Sequence, residues 1–132
     1  MTIANLEVLI RSMRPAFWAG EYVFVDATTV PDEVQIEATV REAEGPSAVI
    51  SRSDADALQL RYDFVGSWIT LTVHSSLESI GLTAAVSSEL ANLGISCNVI
   101  AGLRHDHLLV SADRADDALT ALRRLAGRPS PW

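Results

Sequence analysis

From Trp68 to Leu125 the apolar residues switch from a period of two to one near 3.6 and back again, and that order constrains the fold more than any other feature of the chain. Ile69, Leu71 and Val73 alternate with Thr70, Thr72 and His74, which predicts a half-buried strand over residues 68–74. Leu82, Val86, Leu90 and Leu93 then stand at helical spacing, Gly94 suits a C-terminal cap, and Ser75 with Glu78 has the spacing of a capping box. Residues 95–101 and 107–110 predict two strands joined by the turn Gly102-Leu103-Arg104, and Ala115, Ala118, Leu119, Leu122 and Leu125 mark a last helix ending at Gly127. Strand, helix, strand, strand, helix is the order of a split βαβ, ferredoxin-like unit, whose helices cover one side of its sheet.

The first half carries a reduced copy of that order. Ile3, Leu6, Ile10 and Met13 predict a short amphipathic helix that Pro15 stops. Residues 22–25 and 34–41 predict strands, the second with Val34, Ile36, Ala38 and Val40 on its apolar face. After the turn Glu44-Gly45-Pro46, residues 48–50 form a third strand, and Ser51 or Ser53 caps a short helix through Leu58 and Leu60. Ser51, Ala55 and Asp56 recur as Ser111, Ala115 and Asp116, and the pair Ala57, Leu58 recurs as Ala118, Leu119, as two diverged copies would leave them. The shorter interval between first and second strands in the first copy means that this copy lacks its first helix. The expected class is α+β, two ferredoxin-like units in tandem, the first without its first helix. The expected layout is an N-terminal helix over 1–16, a degenerate unit over 17–66, a complete unit over 67–127 and a tail over 128–132.

Charge removes one class of partner. Seventeen acidic residues against ten basic ones give a net charge of −7, every basic residue is Arg, and only Arg123 and Arg124 are adjacent. A nucleic-acid binder needs a cationic stripe to displace phosphate counterions, so no nucleic-acid partner is expected. No apolar run approaches the roughly 20 residues that span a bilayer. The mixed pattern over residues 3–13 is not that of a secretory signal, so a cytoplasmic protein without membrane attachment is expected. The single cysteine, Cys97, lies in an apolar run and reads as packing rather than as a nucleophile. No G-x-S-x-G, C-x-x-C or phosphate loop occurs, and no enzyme or cofactor is expected.

The stretch Thr70-Leu-Thr-Val-His-Ser-Ser-Leu-Glu-Ser-Ile-Gly-Leu-Thr-Ala-Ala-Val, followed by Gly94-Ile-Ser-Cys-Asn-Val-Ile-Ala-Gly and His105-Asp-His-Leu-Leu-Val, resembles the ACT domain. It is most similar to an uncharacterised bacterial family of tandem ACT-like repeats, and its layout also resembles the regulatory end of aspartate kinases and, more distantly, cytosolic arginine sensors. The resemblance spans residues 17–126 and is stronger in the second half, because residues 28–32 of the first lack the Gly-then-helix feature of an ACT ligand loop. It implies regulatory binding of an amino acid or similar small metabolite, within a homodimer and through a regulated protein partner that the sequence does not name. The alternative from another class is a structural or dimerisation module with no ligand.

The candidate site follows from the loop and the polar strand face. Gly81, Leu82 and Thr83 open the long helix, where free backbone N–H groups and the positive end of the helix dipole can hold a carboxylate. His74, Ser75 and Ser76 precede them. Ser96, Cys97, Asn98 and Val99 are the expected facing strand, with Asn98 and strand backbone pairing the ligand's ammonium and with His105 and His107 nearby. Leu71, Val73, Cys97, Val99, Leu108 and Val110 are expected to point at the helices. Three imidazoles on adjacent strands also suit zinc, but no spaced carboxylate or further Cys completes a ligand set, and no metal is expected. Phe17, Trp18, Tyr22, Phe24 and Trp68 read as packing residues, and Trp132 as part of the tail.

Overall fold

The computed structural model describes residues 5–73 and 77–127. In chain order its elements are α1 (Leu6–Ser12), β1 (Pro15–Phe17), β2 (Tyr22–Asp26), β3 (Ala38–Val40), β4 (Ser47–Ser51), α2 (Arg52–Ala57), β5 (Val65–Leu71), α3 (Leu82–Asn92), β6 (Cys97–Ala101), β7 (Asp106–Ser111) and α4 (Ala115–Leu125). Among the described residues, 5–18 and 67–127 form one compact unit and 19–66 another.

The first of these units is the complete one. Its strands run β1, β5, β7, β6 across the sheet. β1 pairs antiparallel with β5 from Pro15↔Leu71 to Phe17↔Ile69, and β6 pairs antiparallel with β7 from Cys97↔Val110 to Ala101↔Asp106. One core joins Leu9 and Met13 of α1, Leu82, Val86 and Leu90 of α3, and Ala118, Ala121 and Leu122 of α4 to Ile69, Leu71, Val73, Leu108 and Val110, with Cys97 and Val99 packed against it. The helices therefore cover the face that alternation assigned to them. Each fully buried leucine or valine there contributes about 1.5–3 kcal/mol of transfer free energy.

The expected boundary at residue 16 does not describe this unit. Leu9 and Met13 are fully buried in the core built by the second half, and β1 adds a strand beside β5, so the N-terminal segment is part of the complete unit. The buried edge of α1 also differs from the expected stripe. Leu6 stays 37% exposed while Leu9 and Met13, four residues apart, go fully under, and Ile3 lies outside the described residues. Asn5 sets this start, its side chain accepting from Val8 N at 3.1 Å.

The reduced unit orders its strands β3, β4, β2, and β2 continues the sheet to Val65 and Gly66 of β5. Val23, Val25, Ala48, Ile50 and Ala55 form its core. Ser51 caps α2, accepting from Asp54 N at 3.2 Å. Between β2 and β3 stands only a one-turn 3-10 helix, Ala27–Thr29, held by Asp26, whose carboxylate accepts from Thr28 N at 2.9 Å. The missing first helix is thus seen directly.

The expected strand over 34–41 shrinks to Ala38–Val40. Among the described residues β3 pairs only with β4, and on an edge strand the outer apolar residues find little to bury: Val40 is 57% exposed and Ile36 38%. Val34 instead ends a turn, its N–H donating to Pro31 O at 3.1 Å, and packs on the core.

Candidate functional site

The start of α3 has no side-chain cap. Gly81 is the N-cap residue at φ 102°, in the left-handed region, and the helix begins at Leu82. The expected capping box does not serve this start: Glu78 precedes Leu82 instead of following the cap, the third helical position is Ala84, and Ser75 lies outside the described residues. The first intrahelical bond, from Ala85 N to Gly81 O at 2.9 Å, leaves the N–H groups of Leu82, Thr83 and Ala84 without helical partners. A β-carbon at Gly81 would also stand 2.8 Å from Leu6 Cδ2, so the crowding that glycine relieves comes from α1 and not from the sheet.

A cleft of about 150 Å3 opens at this helix start, bounded by Leu77, Ser79, Gly81, Leu82 and Thr83 on one side and by Ala101, Gly102 and Asp106 on the other. The hairpin register explains the second wall: Ala101 ends β6 directly across from Asp106, which begins β7. Burial raises the Asp106 carboxyl above its ordinary value, and the neighbouring His107 and His105 only partly oppose that. A carboxylate held in poor solvation beside uncapped helix N–H groups presents a negative and a positive pole in one cleft.

His107 lies on the sheet face opposite the helices. Thr70 Oγ1 is 2.9 Å from its Nδ1, and Trp68 Nε1 donates to the same nitrogen at 3.3 Å. Trp18 stacks on Trp68 with centroids 4.5 Å apart and meets the His107 ring edge-on at 5.9 Å. Burial lowers the His107 pKa, the charge of His105 adds to this, and Asp106 opposes it. Accepting from Trp68 requires an unprotonated Nδ1, so the hydrogen bond and the desolvation act in the same direction. His105 Nδ1 donates to Val73 O at 3.4 Å. A β-carbon on Gly102 would meet His105 O at 3.0 Å and His107 Nε2 at 3.3 Å, so glycine lets this turn close over the ring.

The sequence-predicted residues thus separate into groups. Gly81, Leu82 and Thr83 line the cleft; His105 and His107 flank its far wall through Asp106. Ser96, Cys97, Asn98 and Val99 do not face the loop. Cys97 pairs with Val110 at the opposite end of the β6–β7 ladder from the cleft, because the strand after a helix starts where the helix ends. Cys97 and Val99 pack on the helix side, where burial pushes the Cys97 thiol up to about 11, and Asn98 and Ser96 are exposed. His74, Ser75 and Ser76 lie outside the described residues. Leu77, Ser79, Ala101, Gly102 and Asp106 were not among the predicted site residues, yet line the cleft; counting the hairpin outward from Gly102 would have set Asp106 against Ala101. Of the aromatic residues read as packing, Trp68 is 2% and Tyr22 8% exposed, while Phe17, Trp18 and Phe24 keep more than a third of their surface. Among the described residues no three His, Cys, Asp or Glu side chains are grouped to hold a metal ion.

ACT-domain models match residues 2–67 and residues 64–124. The chain is an ACT-domain protein. A Vibrio cholerae protein, described as of unknown function and a possible transport protein, is 43% identical, with 92% of this chain and 95% of that one covered at a TM-score of 0.80. An Agrobacterium tumefaciens protein is similar at 20% identity over 86% of this chain and 89% of that one, with a TM-score of 0.71. The regulatory subunit of aspartate kinase from Thermus flavus shares the fold at 9% identity, a TM-score of 0.61 and coverage of 84% and 95%. No curated protein matches the chain significantly. ACT domains are regulatory rather than catalytic, and this chain carries two. Among the described residues no helix is long and apolar enough to cross a membrane.

Proposed function

We propose that this ACT-domain chain is an amino-acid-binding regulatory module, cytoplasmic and homodimeric, that acts through a protein partner. The observation that carries the reading is the pairing, in one cleft, of the uncapped α3 start at Gly81, Leu82 and Thr83 with the desolvated carboxylate of Asp106. Helix N–H groups suit the ligand's carboxylate and Asp106 suits its ammonium, a role that Asn98 cannot fill from the far end of β6. A cleft of about 150 Å3 holds a head group. Pockets for drug-sized ligands run to roughly 300–1,000 Å3.

A thermal-shift screen of the twenty amino acids tests this, since a ligand at a hundred times its dissociation constant adds about 2.7 kcal/mol to folding stability. The expected result is a rise in Tm for one amino acid or a few chemically related ones, lost in Asp106→Asn. A flat screen overturns the reading and favours the ligand-free interaction module. That second reading draws on Leu77, Ile80 and Leu103, which stand 67%, 85% and 72% exposed around the cleft. Sedimentation checks the dimer: a 14.2 kDa species alone at micromolar concentration would remove it.

A further inference from the structure

The reduced unit lacks an ACT ligand loop, yet it holds a larger opening elsewhere. β2 keeps its ladder to β4 over all five residues, from Tyr22↔Ser51 to Asp26↔Ser47, but its ladder to β5 stops after Tyr22↔Gly66 and Val23↔Val65. Residues 61–64 belong to no strand, and the two segments splay apart. Between them lies an open cleft of about 680 Å3 that reaches the turn Glu44-Gly45-Pro46.

The lining has a distinct chemistry. Phe24 and Phe64 place their rings 6.5 Å apart at 49°, and Phe24 is 37% exposed although it sits in the middle of a strand. Glu44 and Asp63 line the cleft against one guanidinium, Arg61, and the Asp26 carboxylate, on a third acidic lining residue, already accepts from Thr28. Tyr62 does not offset that charge from the cleft side, for its hydroxyl donates to Asp56 at 2.6 Å and accepts from Arg52 Nε at 3.0 Å. On the side of β2 away from β4, residues 24–26 have no strand paired to them among the described residues, and that edge faces the opening.

We infer that this cleft binds a small organic cation, a guanidinium or alkylammonium group on a short carbon chain, with the aliphatic part against Phe24 and Phe64 and the charge toward Asp63 and Glu44. Aromatic faces attract cations through their quadrupole, and this unit already does so internally, with Arg52 Cζ 5.9 Å from the Tyr62 ring centre. Carboxylates beside rings select against anions of the same shape. The open strand edge adds peptide groups that can accept from the ligand's N–H donors. The site is separate from the α3 cleft and does not depend on the reading given to it.

The test is a 15N–1H titration of the full chain with agmatine, with glutarate as the anionic control. Shifts should fall on residues 24–26, 44–47 and 61–64 and weaken as salt is raised. Phe24→Ala and Asp63→Asn, both at exposed side chains, should each raise Kd about fivefold. Equal shifts with glutarate, shifts confined to Gly81, Thr83 and Asp106, Kd values within about twofold in both variants, or no shift up to about 10 mM agmatine would each overturn the inference.

Discussion

Leu6 Cδ2 lies 2.8 Å from the point a β-carbon on Gly81 would occupy, so α1 closes onto the start of α3 at a residue without a side chain. The contact joins the N-terminal segment to the candidate site through one pair. It also makes Gly81 a poor position at which to test ligand binding, since any side chain there meets Leu6 first.

Gly81→Ala should therefore destabilise the chain by about 1–3 kcal/mol, from the left-handed backbone and the clash together. Adding Leu6→Ala should recover the steric part and leave the backbone part. Urea denaturation of both single variants and the pair gives the coupling; strictly additive effects would mean that Leu6 imposes nothing at Gly81.

Leu90 is fully buried, and Leu90→Ala should lose about 2–5 kcal/mol with a clear drop in Tm. Leu103, at 72% exposure, offers the contrast. Leu103→Ser should stay within about 0.5 kcal/mol of the parent.

Asp106 and His107 bias stability with pH in opposite senses. The His107 pKa is lowered on folding, so the unfolded chain binds the proton more readily, and stability should fall as pH drops below the ordinary value of 6.5. His107→Gln should flatten that part of the profile. Asp106 is raised above 3.8, so its contribution is present below that value and lost as pH rises through the raised one. Asp106→Asn should therefore stabilise the chain at neutral pH while removing amino-acid binding. Chemical denaturation followed across pH 3–8 reads both, and a loss of stability at neutral pH in Asp106→Asn would contradict the assignment.

Cys97, with its thiol pushed up to about 11 by burial, should resist alkylation at neutral pH and react fully once urea unfolds the chain. Rapid labelling of the native protein would mean that β6 opens far more often than its ladder to β7 implies.

Local pattern carried most of the complete unit. Alternation at Ile69, Leu71 and Val73 and the stripe Leu82, Val86, Leu90 report burial directly, because a side chain's face follows from its position along one strand or helix. Gly94 marks the end of its helix for the same local reason, and the reduced unit's missing helix was legible in a short interval, whereas the helix start at Gly81 was not read from the capping-box spacing of Ser75 and Glu78. Residues 34–37 misled because alternation signals a strand only where a neighbour covers the apolar side, and β3 is an edge.

What only the tertiary structure decided are the relationships between distant segments. Nothing local in Leu9, Met13 or Phe17 says that they complete a unit whose other strands begin at residue 67; that depends on which core has room for them. Likewise Asn98 and Asp106 both lie on plausible strands, and the hairpin register alone sends one away from the α3 start and brings the other to it. Sequence determines periods and turns because they are properties of neighbours along the chain. The site depends on pairings across it, where the free energy belongs to contacts that no single segment contains.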